Sequence, residues 1–154
     1  EWEYACRARV AEVYDYSCGG RTFLESYAAF NARNTSNVGH KMCNSWGLYD
    51  MHGNILEWCH DWYGKDYSDD AVNPVGPSKG WQKVHRGGSA GLSATDCRSS
   101  VREKSGTKHT NGGLGFRVAL ALSDESMNGI SSTESSDAER TTPAAEDAEA
   151  MAER

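Results

Sequence analysis

The chain of 154 residues lacks long hydrophobic runs and clusters of positive charge. No stretch reaches the ~20 consecutive apolar residues that a membrane-spanning helix needs, and no basic and then apolar segment with a cleavage site stands at its start. We therefore predict a protein without a membrane segment. The chain has 16 Lys+Arg against 22 Asp+Glu, a net charge of -6. An acidic chain without a basic cluster does not predict a nucleic-acid-binding surface, because such binding depends on neutralising phosphates.

The five cysteines, at positions 6, 18, 43, 59 and 97, form no C-x-x-C pair and no zinc-finger spacing. An odd number cannot all pair within one chain. Buried or free thiols are the preferred interpretation, while one or two disulfides or a redox or metal site stay open. Cysteine usage leaves the compartment undecided, with a slight preference for a reducing, cytoplasmic one.

Aromatic residues and cysteines are absent from residues 123–154, which carry nine acidic and two basic residues and a net charge of -7. Residues 1–122 are left with a charge of +1 and contain every Trp, Tyr, Phe and Cys of the chain. Only that part can bury enough apolar surface to offset the entropy of chain ordering. We predict one domain over residues 1–122 and a disordered acidic tail over residues 123–154, either a solvated spacer or an interaction segment.

The hydrophobic pattern predicts few regular elements. Apolar spacing favours a helix over Glu1–Ala8, and because the chain starts inside it, the sequence resembles the later part of a larger domain. Residues 31–45 and 90–113 are polar and predicted as loops. Strands are expected over Ile55–Cys59, from Trp81 into the Gly-Gly-Ser turn ending at Ser89, and over Leu114–Leu122. The sequence therefore predicts an irregular α+β domain, with tryptophans forming much of its core.

Seven sequence blocks together form a specific pattern. They are EWEYACRA at 1–8, WGLYDMHGNILEW at 46–58, DWY at 61–63, NPVGP at 73–77, HRGGS at 85–89, CRSSVR at 97–102 and GFRV at 115–118. In the same order, these blocks resemble those of the formylglycine-generating enzyme or sulfatase-modifying factor family. The resemblance covers residues 1 to about 120 and implies a C-type-lectin-like fold with little regular secondary structure, of which the family's N-terminal part is missing here.

The resemblance also implies an oxidoreductase that converts a sulfatase cysteine to formylglycine with copper held by two cysteines after the Gly-Gly-Ser turn. The corresponding segment here, Ala90–Cys97, has one cysteine, at a non-catalytic position beside Arg98. Leu56 stands where the family has an active-site tryptophan, so Ser89 and Arg102 are the catalytic positions that remain. Copper(I) needs soft ligands. We therefore expect no copper and no formylglycine chemistry.

A calcium site is the second expectation that the resemblance gives. The family's calcium loop uses a side chain, two backbone carbonyls and a glutamate, and these positions correspond to Asp50, Gly53, Ile55 and Glu57. All four can supply oxygen, the ligand that calcium prefers, and a glycine lets the backbone turn inward. The alternative is a plain turn in which Glu57 pairs with an arginine such as Arg117.

The five histidines have no spacing that places two ligands on one face, so they are predicted as surface or packing residues.

Three functional hypotheses stay open. The chain is a sulfatase-modifying-factor-type domain inactive in formylglycine formation, a non-catalytic module that binds a protein or peptide ligand, or a truncated gene product. In the second case residues 90–113 would carry the binding surface, because loops on a rigid scaffold vary most freely.

Overall fold

A computed structural model describes residues 1–10, 14–65, 74 and 76–120. Within them no helix has the length and apolar character that crossing a bilayer requires. The predicted acidic tail lies outside the described residues, as do the last two residues of the strand predicted up to Leu122.

The elements are helix α1 (Trp2–Arg7), a 3-10 helix (Arg21–Phe23), helix α2 (Leu24–Tyr27), strands β1 (Leu56–Trp62) and β2 (Gln82–Arg86), a second 3-10 helix (Ala94–Cys97), and strands β3 (Glu103–Gly106) and β4 (Leu114–Phe116).

The strands form one mixed sheet in the order β3-β2-β1-β4. Strand β1 is antiparallel to β2 and parallel to β4, and β2 is antiparallel to β3. Trp58 lies opposite both His85 and Phe116, and an irregularity between Trp58 and Trp62 shifts the β1–β2 register. Because β4 runs parallel to β1 with Glu57 opposite Gly115, the residue after β4, Arg117, reaches the start of β1.

Side chains of helix α1 reach the start of β1, through the Trp2 indole and Glu57, and the end of β2, through Glu3 and Arg86. It ends at Ala8, whose left-handed backbone (φ 49°) donates its N–H to the Tyr4 carbonyl. Glu3 forms ion pairs with Arg7, one turn away at 2.8 Å, and with Arg86 of β2 at 3.3 Å. The predicted opening helix is therefore confirmed, and the Glu3–Arg86 pair connects it to the sheet.

The buried core consists of small and medium side chains, and the prediction of a tryptophan-rich core is wrong. The largest fully buried side chains are Leu24, His52, Val84, Cys6, Cys97 and Ser99. None of the five tryptophans is fully buried: Trp2, Trp58 and Trp62 are half-buried, and Trp81 is 94% and Trp46 43% exposed. An indole is large and carries an N–H that needs a partner, so it is rarely buried completely. The cysteines are all free thiols.

The predicted elements differ from the structure mainly in the second half of the chain. Strands at the two predicted positions around residues 56 and 84 are confirmed, as is the loop over residues 31–45. The stretch predicted as loop over residues 90–113 contains strand β3, whose polar sequence Glu-Lys-Ser-Gly pairs as an edge beside β2. The last strand ends at Phe116, and Val118 and Leu120 beyond it are more than four-fifths exposed.

Candidate functional site

The turn after β2 presents Ser89 at the edge of a cleft. Gly87 (φ 96°) and Gly88 (φ 73°) adopt left-handed conformations that residues with a Cβ rarely take. A Cβ on Gly88 would also overlap the Sγ atom of Cys97. After the turn the chain is fixed by the Ala90 N–H, which donates to the Asn54 carbonyl at 2.9 Å. The predicted tight turn is confirmed, and both glycines are required for its shape.

Three loops enclose a cleft of about 350 Å³ beside Ser89. The loop at residues 31–35 is tied to the Ser89 segment by the amides of Asn31 and Ala32, which donate to the carbonyls of Leu92 and Ala90. The third loop, which contains Gly112 and Gly113, is held by the Leu56 amide, which donates to the Gly113 carbonyl. The cleft is lined by Arg33, Asn34, Thr35, Asn54, Ser89, Ala90, Gly91, Gly112 and Gly113.

No cysteine, histidine or methionine stands among the residues that line this cleft. The nearby thiol, Cys97, is fully buried behind the glycine turn and accepts a hydrogen bond from the Ser89 backbone. Burial raises the pKa of Cys97 to about 12, so the thiol is protonated at neutral pH. A metal-binding cysteine acts as a thiolate. The described residues of the cleft therefore do not fit a copper(I) ion, which needs soft ligands.

Arg102, the other predicted catalytic position, does not line the Ser89 cleft. Its Nη1 donates to the Gly64 carbonyl at 3.3 Å, and its guanidinium carbon lies 5.2 Å from the centre of the Tyr63 ring. A guanidinium at this distance over an aromatic face is attracted by the ring quadrupole. The two positions suggested by the resemblance thus have different surroundings, Ser89 at the cleft and Arg102 beside β1.

The predicted calcium loop is closed by an ion pair. Glu57 is 5% exposed, and its Oε1 accepts from Arg117 Nη2 at 2.7 Å while its Oε2 accepts from Arg117 Nε at 3.0 Å and from the Trp2 indole at 2.7 Å. Arg117 Nη2 also donates to the Tyr49 carbonyl at 2.8 Å. Of the two alternatives that the sequence leaves open, the structure contains the pairing of Glu57 with Arg117.

The donor set of this loop fits calcium only in part. Asp50 adopts a left-handed backbone (φ 57°); its Oδ2 accepts from the Gly39 amide, and its buried Oδ1 has no hydrogen bond. Both Glu57 oxygens, however, face the guanidinium of Arg117, and a second cation there would be repelled. No cluster of three or more His, Cys, Asp or Glu side chains suited to a metal occurs in the described part of the chain. Calcium at Asp50, Gly53, Ile55 and Glu57 stays a prediction.

His52 is buried and joins several segments through hydrogen bonds, whereas the sequence predicts it only as a surface or packing residue. It is 1% exposed, and its Nδ1 lies 2.8 Å from the Cys97 carbonyl while its Nε2 accepts from the Ser17 amide at 3.0 Å. Since a carbonyl only accepts, the geometry assigns the proton to Nδ1 and makes the ring neutral. Burial lowers the pKa of His52. A neutral imidazole thus joins three segments far apart in sequence.

The comparisons with known proteins agree with this architecture. A family model described as the sulfatase-modifying factor enzyme 1-like domain matches residues 1–122. The chain belongs to this family. It is 37% identical over 123 residues to the serine/threonine-protein kinase pkn1 of Chlamydia pneumoniae, covering 77% of this chain and 20% of the kinase. It is 33% identical over 138 residues to the formylglycine-generating enzyme of Streptomyces coelicolor, covering 77% of this chain and 44% of that enzyme.

Solved structures show the same fold for this sulfatase-modifying factor family domain. Treponema denticola variable protein 1 matches with a TM-score of 0.69 and 32% identity, over 75% of this chain and 43% of that protein. PvdO from Pseudomonas aeruginosa matches with a TM-score of 0.61 and 26% identity, over 75% and 48%. The irregular α+β fold of the formylglycine-generating enzyme type is therefore confirmed. The chain spans less than half the length of these relatives.

Proposed function

We propose that this domain is a member of the sulfatase-modifying factor family that does not form formylglycine and instead binds a protein or peptide ligand at the Ser89 cleft. One observation carries the proposal: the described lining of the cleft contains no sulfur or imidazole. Oxidation of a cysteine by oxygen needs a redox centre, and a single buried thiol with its pKa raised to about 12 cannot replace a pair of exposed thiolates.

The construction of the cleft supports a binding role. Its walls are loops, but each is fixed by backbone hydrogen bonds to its neighbours, such as those from Asn31 and Ala32 to the Ser89 segment. A site that is shaped before the ligand arrives loses less entropy on binding. The fold also occurs in relatives with different names, including kinases and a variable protein, and one fold commonly carries unrelated functions.

The formylglycine test uses the complete chain, a peptide with the sequence Cys-x-Pro-x-Arg, copper(I) and oxygen, with mass spectrometry of the peptide. The Streptomyces coelicolor relative, whose name gives formylglycine generation as its activity, serves as the positive control. We expect the peptide to remain a thiol with this chain and to become the aldehyde with the relative. Copper-dependent aldehyde formation by this chain would overturn the proposal, and loss of that activity in C97A would identify the thiol responsible.

A further inference from the structure

The described lining of the Ser89 cleft has a formal charge of +1, from one exposed arginine. Arg33 is the one charged residue among the described residues that line it, and no carboxylate of the described chain forms an ion pair with its guanidinium. The hydroxyls of Thr35 and Ser89 add neutral groups that can donate hydrogen bonds. A cleft with one cation, several donors and no acidic lining residue selects an anionic group.

Asn54 is a buried lining residue of the cleft, and it also lines the neighbouring cavity beside Glu57 and Arg117. The residue is 4% exposed and held in a left-handed conformation (φ 63°). Its Oδ1 accepts from the Ser36 amide at 3.0 Å, and its backbone donates to the Ala29 carbonyl and accepts from the Ala90 amide. Because Oδ1 is engaged as an acceptor, Nδ2 is the side-chain atom that can serve a ligand, and it can only donate.

Two glycines leave the rim of the cleft without side chains. A Cβ atom at Gly91 or Gly112 would meet no other atom within 4 Å, so the space above both residues is open. A third, Gly113, stands beside the Ser89 side chain, with 3.8 Å between a built Cβ and Ser89 Oγ. A ligand backbone can therefore approach this rim closely, which suits an extended peptide better than a bulky group.

We propose that the cleft binds the carboxylate of an acidic peptide side chain, with Arg33 as its charged partner and Asn54 and Ser89 as neutral donors. This assignment rests on the proposed binding function and names its ligand class. The planar guanidinium fork matches a planar carboxylate through two parallel hydrogen bonds. A single cation also balances a single negative charge, whereas a phosphate carries close to two.

The test titrates the complete, isotope-labelled chain with acetyl-Gly-Asp-Gly-amide and, as the neutral match, acetyl-Gly-Asn-Gly-amide, followed by the backbone amide signals in NMR. We expect the aspartyl peptide to shift the amides of Ser89, Gly91 and Gly113 in a saturable way. The asparaginyl peptide should bind at least about tenfold more weakly, because charge-assisted hydrogen bonds are roughly twice as strong as neutral ones.

Two variants separate the role of Arg33 from general charge. Because Arg33 is exposed, R33Q should weaken binding of the aspartyl peptide about threefold to fivefold and R33K by less, while R21Q, at an exposed arginine of the first 3-10 helix, should leave it unchanged. Equal binding of the two peptides, an unaltered R33Q, or shifts outside the cleft would refute the carboxylate assignment. Inorganic phosphate shifting the same amides at a lower concentration than the aspartyl peptide would refute it too. The aldehyde assay tests the proposed loss of formylglycine formation independently of these outcomes. Saturable binding of both peptides at the cleft would refute the carboxylate assignment alone, whereas no shift with either peptide would count against peptide binding at the cleft as well.

Discussion

Replacing Arg117 with glutamine, R117Q, is the substitution that the structure makes most informative. Arg117 stands directly after β4 and donates to both oxygens of the buried Glu57 carboxylate and to the Tyr49 carbonyl. Without the guanidinium, Glu57 keeps only the hydrogen bond from the Trp2 indole. The variant thus leaves a carboxylate that is 5% exposed without its counterion.

The magnitude follows from the burial of the two partners. Removing one partner of a buried ion pair costs about 3–5 kcal/mol, because the remaining charge stays out of water. The Arg117 side chain is 33% exposed, so water already screens part of the pair and the lower end of that range applies. We expect R117Q to lose about 3 kcal/mol of unfolding free energy, which for a domain of this size lowers the melting temperature by about 10 °C.

The assay is thermal and urea unfolding of the complete chain, with R21Q as a matched loss of one exposed positive charge. The double variant E57Q/R117Q has no charge at this pair and should recover part of the loss, since the two residues interact directly. Each protein is also measured with calcium and with a chelator. Insensitivity of the wild type to calcium would show that Arg117 takes the place of the predicted cation at Glu57.

Two results would refute this reasoning. If R117Q melts within about 2 °C of R21Q, the ion pair does not hold the loop. If calcium raises the melting temperature of wild type by several degrees and the chelator reverses it, a cation binds despite Arg117, and the predicted calcium ligands gain support.

Three further predictions concern buried groups. Burial lowers the pKa of His52 in the folded chain, whereas the ring in the unfolded chain protonates near pH 6.5. Below pH 6.5 the unfolding free energy should therefore fall by up to ~1.4 kcal/mol per pH unit, until the lowered pKa of the folded state is reached. Urea titrations at several pH values should show a weaker pH dependence of the unfolding free energy in H52Q. Burial raises the pKa of Cys6 to about 12, so iodoacetamide should label it only in denaturant, and peptide mapping that finds it alkylated in the native chain would contradict the structure. A Cβ at Gly53 (φ 90°) would overlap the Ala29 carbonyl, so G53A should lose more than ~2 kcal/mol in urea unfolding, whereas G112A should change stability little; equal effects would disprove the close approach.

Local sequence signals predicted the parts of the fold that depend on neighbouring residues. The helix at the start of the chain follows from apolar spacing, and the turn at Gly87-Gly88 follows from residues that tolerate positive φ. The ordered motifs were sufficient to predict the family and its irregular α+β fold, which the family model and the solved structures confirm. The absence of a cysteine pair after Ser89 likewise follows from the sequence alone.

Long-range packing decided the rest. Strand β3 has no apolar alternation and forms because β2 offers it backbone hydrogen bonds, so no periodic signal could predict it. The choice of partner for Glu57 depended on β4 running parallel to β1, which brings Arg117 across 60 residues of sequence. Likewise, Arg33, Asn54 and Ser89 line one cleft only because three loops pack beside one another. Sequence determines which chemical groups a chain possesses, whereas the distance between groups remote in the chain is set by how the whole domain packs.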